Sequence, residues 1–354
     1  MPDALIIGDG VIGLATALAI ARAGGSCRIL GRTVPGAASA ASAGLLAPSI
    51  GSADPMFRSF MIASRDLYPS WVHWLAERTG IEVTLNRLGI IELGTNGKTG
   101  DVDLPRAERL DATSLQTLEP HIAPADAWLH STDGYVDNVR LVAALQEAVR
   151  CEWGIEMVDG RAAGIEPGID GCTVTTEDGR TQRAPCVVLA AGAWSALIVG
   201  APRPIPVEPV RGQMLQLAGA PIAHAVSAAD AYLVPRGEST LVGSTLERVG
   251  FDSSTTPSAL KRLRAAAVAV IPALARAKVE RSWAGLRPMT PDGLPVLGRD
   301  PDLPSVVYAC GHAKNGILLA PITAECIASI IAGTTPPISL DPFAVQRFDD
   351  EMPG

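Results

Sequence analysis

The stretch "LIIGDGVIGLATA", residues 5–17, leaves a chain few ways to fold. An apolar run enters Gly8 directly, and Gly8, Gly10 and Gly13 match G-x-G-x-x-G between a strand and a helix. In such a turn the first glycine permits a tight reversal and the second lets backbone approach a pyrophosphate. The third lets helix and strand pack closely. Free N–H groups around Val11, Ile12 and Gly13 then face phosphate oxygens. The expectation is a β-α-β unit: a strand over 4–7, a helix from Val11 to about Ala23, a break at Gly24-Gly25, and a second strand over 26–30.

That second strand, in "CRILGR", ends in Gly31 and Arg32 where a ribose-binding Asp or Glu is expected. In a bare unit of this kind, a missing acid beside an arginine suggests NADP with its 2′-phosphate. The rest of the chain points elsewhere. The segment "GAASAASAGLLAP" reads either as a flexible linker or as backbone lying flat against a planar ring, with Ser39 and Ser42 as hydrogen-bonding groups. Small side chains followed by an apolar, proline-stiffened end favour the ring, and so a flavin.

Further segments repeat the nucleotide-binding character. "CVVLAAGAW" (186–194) reads as a buried parallel strand entering a glycine turn that contains Gly192 and Trp194. "SVVYACGHAKNGILLAPITAECIASIIAG" reads as strand, glycine loop and a helix beginning near Leu318–Pro321, whose free N–H groups carry partial positive charge. His312 there is either buried structure or part of a site, and Lys314 either a solvated charge or a pocket group. Before the helix in "DGYVDNVRLVAALQEAV", Asn138 is expected as N-cap, and Thr255 or Thr256 caps the helix in "TTPSALKRLRAAAVAV". "VTLNRLGIIELG", "PVRGQMLQLAG", "AYLVPRGE" and "STLVGSTLE" are short strands of an antiparallel sheet. Arg287, beside Pro288 in "WAGLRPMTPDGLPVLGR", is either a structural arginine satisfied by carbonyls or a fork for a substrate carboxylate. Tyr232 offers a phenol to the same carboxylate or packs in the sheet.

At 354 residues the chain exceeds one ordinary domain. A net charge of −8 argues against nucleic acid and against a membrane surface as partners, since phosphate binding needs a basic face. The apolar runs are too short or interrupted to span a bilayer. "MPDALIIG" enters a strand with no leader pattern, and six cysteines without CxxC spacing read as buried thiols, so a cytoplasmic location is expected.

Together "GDGVIG", "GAASAASAGLLAP", "DGYVDN", "VVLAAGAWS", "VEPVRGQML", "YLVPRGESTLVGST", "WAGLRPMTPDGLPVLGR" and "GHAKNGILLAP" resemble the D-amino-acid-oxidase-like FAD-dependent oxidoreductases, most closely the glycine oxidases of the thiamine-biosynthesis type. The resemblance implies an α/β fold: a Rossmann-like FAD-binding domain assembled from residues 1–80, 135–200 and 282–354, and an α+β substrate domain on an antiparallel sheet from 81–134 and 201–281. It implies that Gly8, Gly10, Val11, Ile12, Gly13, Ala38, Ser39, Ala43, Gly44 and Leu45 line FAD. Gly31 and Arg32 then lie at the ribose, Ala162 near the adenine, and Gly192 and Trp194 in the third cofactor turn. His312, Ala313, Asn315, Gly316, Ile317 and Leu318 lie near the flavin. Arg287 and Tyr232 grip the substrate carboxylate, with Lys314 in the catalytic group.

Three positions depart from the glycine oxidase pattern. Gly31 replaces the acid, Lys314 stands where a second arginine occurs, and Asp230 stands where a histidine can occur. Gly285 stands where related sarcosine oxidases carry a flavin-linking cysteine, so FAD is expected to be non-covalent. Gly31 reads as the loss of one charge-assisted hydrogen bond, roughly 1.5–3 kcal/mol, and Gly31→Glu is expected to change FAD affinity modestly. The implied reaction is oxidation of the C–N bond of a small amino acid by hydride transfer to flavin N5, with imine hydrolysis and reoxidation by O2 to H2O2. Alternatives are a dehydrogenase using another acceptor, an oxidase of a larger N-carboxymethyl amine, and a non-catalytic flavoprotein subunit. A homo-oligomer stays open.

Overall fold

The computed structural model describes residues 2–51, 54–94, 107–152, 154–168, 171–219 and 221–349. The strand Ala4–Ile7 lies near the middle of a six-stranded sheet, flanked in parallel by Cys27–Gly31 on one side and Val187–Leu189 on the other. Beyond these lie Ile155–Asp159 at one edge, and Val306–Cys310 then Val296–Arg299 at the other, the last antiparallel. The strands are apolar throughout because both faces are covered. Ala4 and Ile6 face the helices Val11–Arg22, Pro55–Thr79, Asn138–Cys151 and Gly316–Ala332, while Leu5 and Ile7 face a three-stranded antiparallel sheet built from 162–184.

A second, eight-stranded sheet is antiparallel except where Ala225–Ser227 runs parallel to Ile90–Leu93. Its longest members, Glu208–Ala218 and Val279–Met289, pair along most of their length. One face packs on the helix Pro257–Val270 through Leu215, Leu233 and Val242. The other carries Met214, Tyr232, Val234 and Trp283 toward the cofactor-side elements. Alternation along each strand separates the two sets.

Several local expectations shift. The helix expected after 318 begins at Gly316 and contains Pro321 in its first turns. Asp137, not Asn138, is the N-cap of Asn138–Cys151, accepting from Val139 and Arg140 N–H. Thr256 caps Pro257–Val270. Five cysteines are buried, but Cys151 is exposed. The strand Val279–Met289 runs unbroken through residue 282. Among the described residues no helix is long and apolar enough to cross a membrane.

Candidate active site

The strand Ala4–Ile7 delivers Gly8 with φ of +121°, and a Cβ there would lie 2.3 Å from the Ala190 carbonyl oxygen, so only glycine fits. A Cβ on Gly13 would lie 2.0 Å from the Gly8 oxygen. Gly13 is therefore a packing glycine and not a wall of the cleft. The helix Val11–Arg22 starts without a side-chain cap of its own. Instead Ser39 Oγ, from the small-residue segment, accepts from Val11 N–H at 3.0 Å.

That segment folds as the short helix Ala38–Ala41 and the strand Leu45–Leu46, running along a cleft of about 1130 Å3. The cleft extends from Gly8, Gly10 and Arg32 past Ala162 and Trp194 to Tyr232, Arg287 and Lys314. Of the residues assigned above to cofactor or substrate, Leu318 joins Gly13 in lying outside its wall; Leu318 is buried in the helix core.

At the far end, Ala313 adopts φ of +50°, rare for a residue with a side chain, and Asn315 precedes Gly316–Ala332 without a side-chain cap. Two helix N-termini thus open onto one cleft, each with the partial positive charge that suits a phosphate or an electron-rich ring edge. His312 is fully buried, its Nε2 3.2 Å from Thr323 Oγ1, and burial holds its pKa down at about 3. It is neutral, structural at its ring, and borders the cleft. Lys314 is exposed on the same wall. These features fit a dinucleotide-sized cofactor such as FAD: glycine-only backbone at one helix start, and at the other a start without a side-chain cap.

Arg287 stands on the same face of its strand as Trp283 and Gly285. Its guanidinium lies over Gly212, where a Cβ would meet Nη2 at 2.2 Å. Nη1 donates to the Thr245 carbonyl at 3.1 Å and Nη2 to Ser244 Oγ. Tyr232 pairs across from Gly243, next to Ser244, and its hydroxyl donates to Met214 Sδ at 3.2 Å. Among the described residues no carboxylate lies within ion-pair distance of Arg287.

Sequence reasoning missed Ser244, Thr245 and Gly212, which reach Arg287 only through the fold of the sheet, and Met214, which meets the Tyr232 hydroxyl. It also missed Asp9. A Cβ on Gly31 would lie 2.5 Å from Asp9 Cβ and 2.9 Å from Asp9 N, so Gly31→Glu meets a collision. Arg32, the residue that hinted at a 2′-phosphate, is paired with Asp159 (Nε–Oδ1 2.9 Å). The one sequence signal of Asp9 is a charged residue set between Gly8 and Gly10.

The sequence profile of the FAD dependent oxidoreductase (DAO) family matches residues 3–330. A bifunctional protein ThiO/ThiG of Synechocystis sp. is 35% identical over 360 residues, 98% of this chain and 54% of that protein. The chain thus spans about half the length of such bifunctional relatives. Glycine oxidase of Pseudomonas putida is 31% identical, covering 97% of this chain and 98% of that one. The crystal structure of glycine oxidase from Geobacillus kaustophilus superposes with a TM-score of 0.91 at 31% identity, over 98% of both chains. Iminodiacetate oxidase from Chelativorans sp. shares the fold, with a TM-score of 0.87 at 23% identity over 96% of this chain and 98% of that one. With its glycine-lined cleft and a profile match over most of its length, the chain belongs to the family of FAD dependent oxidoreductases.

Proposed function

We propose that the protein oxidises the C–N bond of a small amino acid carrying an α-carboxylate: glycine, sarcosine or another N-substituted glycine, or a small D-amino acid. The observation that carries this reading is Arg287, a cation in the cleft wall without a counter-ion among the described residues. Such a charge is poised for an anion. Two of its five N–H groups are held by Thr245 and Ser244, which fixes the plane of the fork and leaves the others for a carboxylate. Tyr232 adds a phenol on the same side.

FAD, when bound, would supply the two-electron acceptor for the substrate Cα–H, with O2 as the final acceptor giving H2O2. The chain's own part is positioning. Arg287 and Tyr232 hold the carboxylate and so fix where Cα lies. The His312 ring is neutral and engaged with Thr323, so it takes no proton. No acid–base side chain is required when the amine enters neutral, and water hydrolyses the substrate imine to a 2-oxo acid and ammonia or an amine. Attachment is non-covalent, since a Cβ at Gly285 would lie 2.5 Å from Ala41 Cβ and leaves no room for a thiol.

Anaerobic mixing of the yellow protein with glycine, sarcosine and D-alanine tests this, read as bleaching of flavin absorbance. Bleaching by at least one, much slower in Arg287→Ala, is expected. Flavin that no amine bleaches would make the chain a non-catalytic flavoprotein subunit; flavin that bleaches but is not reoxidised by O2 would make it a dehydrogenase.

A further inference from the structure

We infer that Asp9, inside the glycine turn, supplies the carboxylate that the second strand lacks, accepting hydrogen bonds from the adenosine ribose of FAD. The inference rests on the FAD reading above and adds to it which residue of this chain holds the ribose. Asp9 and Gly31 compete for one volume. With the Gly31 Cβ site 2.5 Å from Asp9 Cβ, 2.8 Å from its Cγ and 2.9 Å from Asp9 N, a side chain at position 31 is excluded while Asp9 occupies this space. The acid has been moved across this gap from the end of Cys27–Gly31 to the turn after Ala4–Ile7. The two ends are adjacent because these strands pair in parallel, with Ile7 opposite Leu30.

The carboxylate is also oriented. Thr33 Oγ1 donates to Asp9 Oδ2 at 3.0 Å. Among the described residues no hydrogen bond reaches Oδ1, and Asp9, Gly31 and Thr33 all line the cleft. A carboxylate in a pyrophosphate-binding turn would repel the phosphates if it pointed along the helix axis. Thr33 draws it sideways, toward the strand end. Arg32 does not neutralise it, because its guanidinium is committed to Asp159. The negative charge left at this spot accepts from ribose hydroxyls and repels a 2′-phosphate, so the absent acid at Gly31 is no sign of NADP.

Titrating the full-length apoprotein with FAD, followed by quenching of flavin fluorescence, tests this without any turnover. Asp9→Gly is expected to weaken FAD binding roughly 10- to 100-fold, the loss of a charge-assisted bond. The isosteric Asp9→Asn, which keeps the turn packed, is expected to weaken it several-fold. Gly31→Glu alone should lower the melting temperature of the apoprotein. FAD affinity unchanged in Asp9→Asn and Asp9→Gly would overturn the assignment while leaving the cofactor itself intact. Wild-type protein that binds NADP and not FAD would instead remove the reading on which it stands.

Discussion

A guanidinium that meets a carbonyl and a hydroxyl on one edge, and no carboxylate, gives Arg287 a measurable role. Arg287→Ala is expected to lower kcat/KM for amino acid substrates by about 2–5 kcal/mol, as for one partner removed from a buried charge pair. Arg287→Lys should recover only part, because an ammonium lacks the two parallel bonds of the fork. Steady-state kinetics on both variants checks this, and near-wild-type activity in the alanine variant would place the carboxylate elsewhere. Lys314 is the subtler case. Exposed yet on the cleft wall, it offers a hydrated point charge where a second fork would grip a small carboxylate. Lys314→Arg should tighten glycine selectively, by about 1 kcal/mol for one added charge-assisted contact. Ratios of kcat/KM among glycine, sarcosine and a bulkier N-alkyl glycine that do not move would leave Lys314 a solvent-facing charge.

Between elements, the ion pair of Asp137 and Arg236 joins the start of the helix Asn138–Cys151 to the eight-stranded sheet. Asp137 caps Asn138–Cys151 and accepts from Arg236 Nη1 at 3.0 Å, while Arg236 Nη2 donates to the Ala43 carbonyl in the cofactor segment. Burial pulls the Arg236 pKa down against the pull of Asp137, and its buried Nε has no partner among the described residues. Removing Asp137 therefore strands a charge as well as a cap. Asp137→Ala is expected to cost about 2–5 kcal/mol in denaturant unfolding, and Asp137→Asn to recover about 1 kcal/mol through the cap alone. Such couplings mark how far the sequence could be read. The turn of Gly8, Gly10 and Gly13 was legible because its constraints are local. The cap was placed one residue late because Asp and Asn serve equally well, and only geometry shows that the Asn138 amide reaches instead to the Ser39 carbonyl at 2.9 Å. Arg236 gave no signal because its partners come from residues 43, 136, 137 and 138. Arg287 was left open between two roles, and holds one backbone carbonyl while facing the cleft.

For the molecule as a whole, His312 sets part of the acid limit. Its folded pKa, near 3, lies below the ordinary value of 6.5. Below pH 6.5 the unfolded chain therefore binds a proton that the folded chain refuses, and stability falls as pH drops toward 3, by about 1.4 kcal/mol per pH unit from this group. Replacing it by a group that does not titrate, as in His312→Gln, should flatten the difference in unfolding free energy between pH 6 and pH 4, measured by denaturant titration. An equally steep profile in the variant would show that His312 charges without unfolding the chain. FAD should act in the opposite sense, adding about 2.7 kcal/mol when present at 100 times its dissociation constant.

The strand Val279–Met289 touches the cofactor segment at three places in succession: Trp283 Nε1 donates to the Ala41 carbonyl at 2.8 Å, Gly285 abuts Ala41, and Leu286 N–H donates to the Gly36 carbonyl at 2.8 Å. Arg287 is the next residue. One strand thus carries both Arg287 and three ties to the segment 36–48, so neither can slide along the cleft without the other.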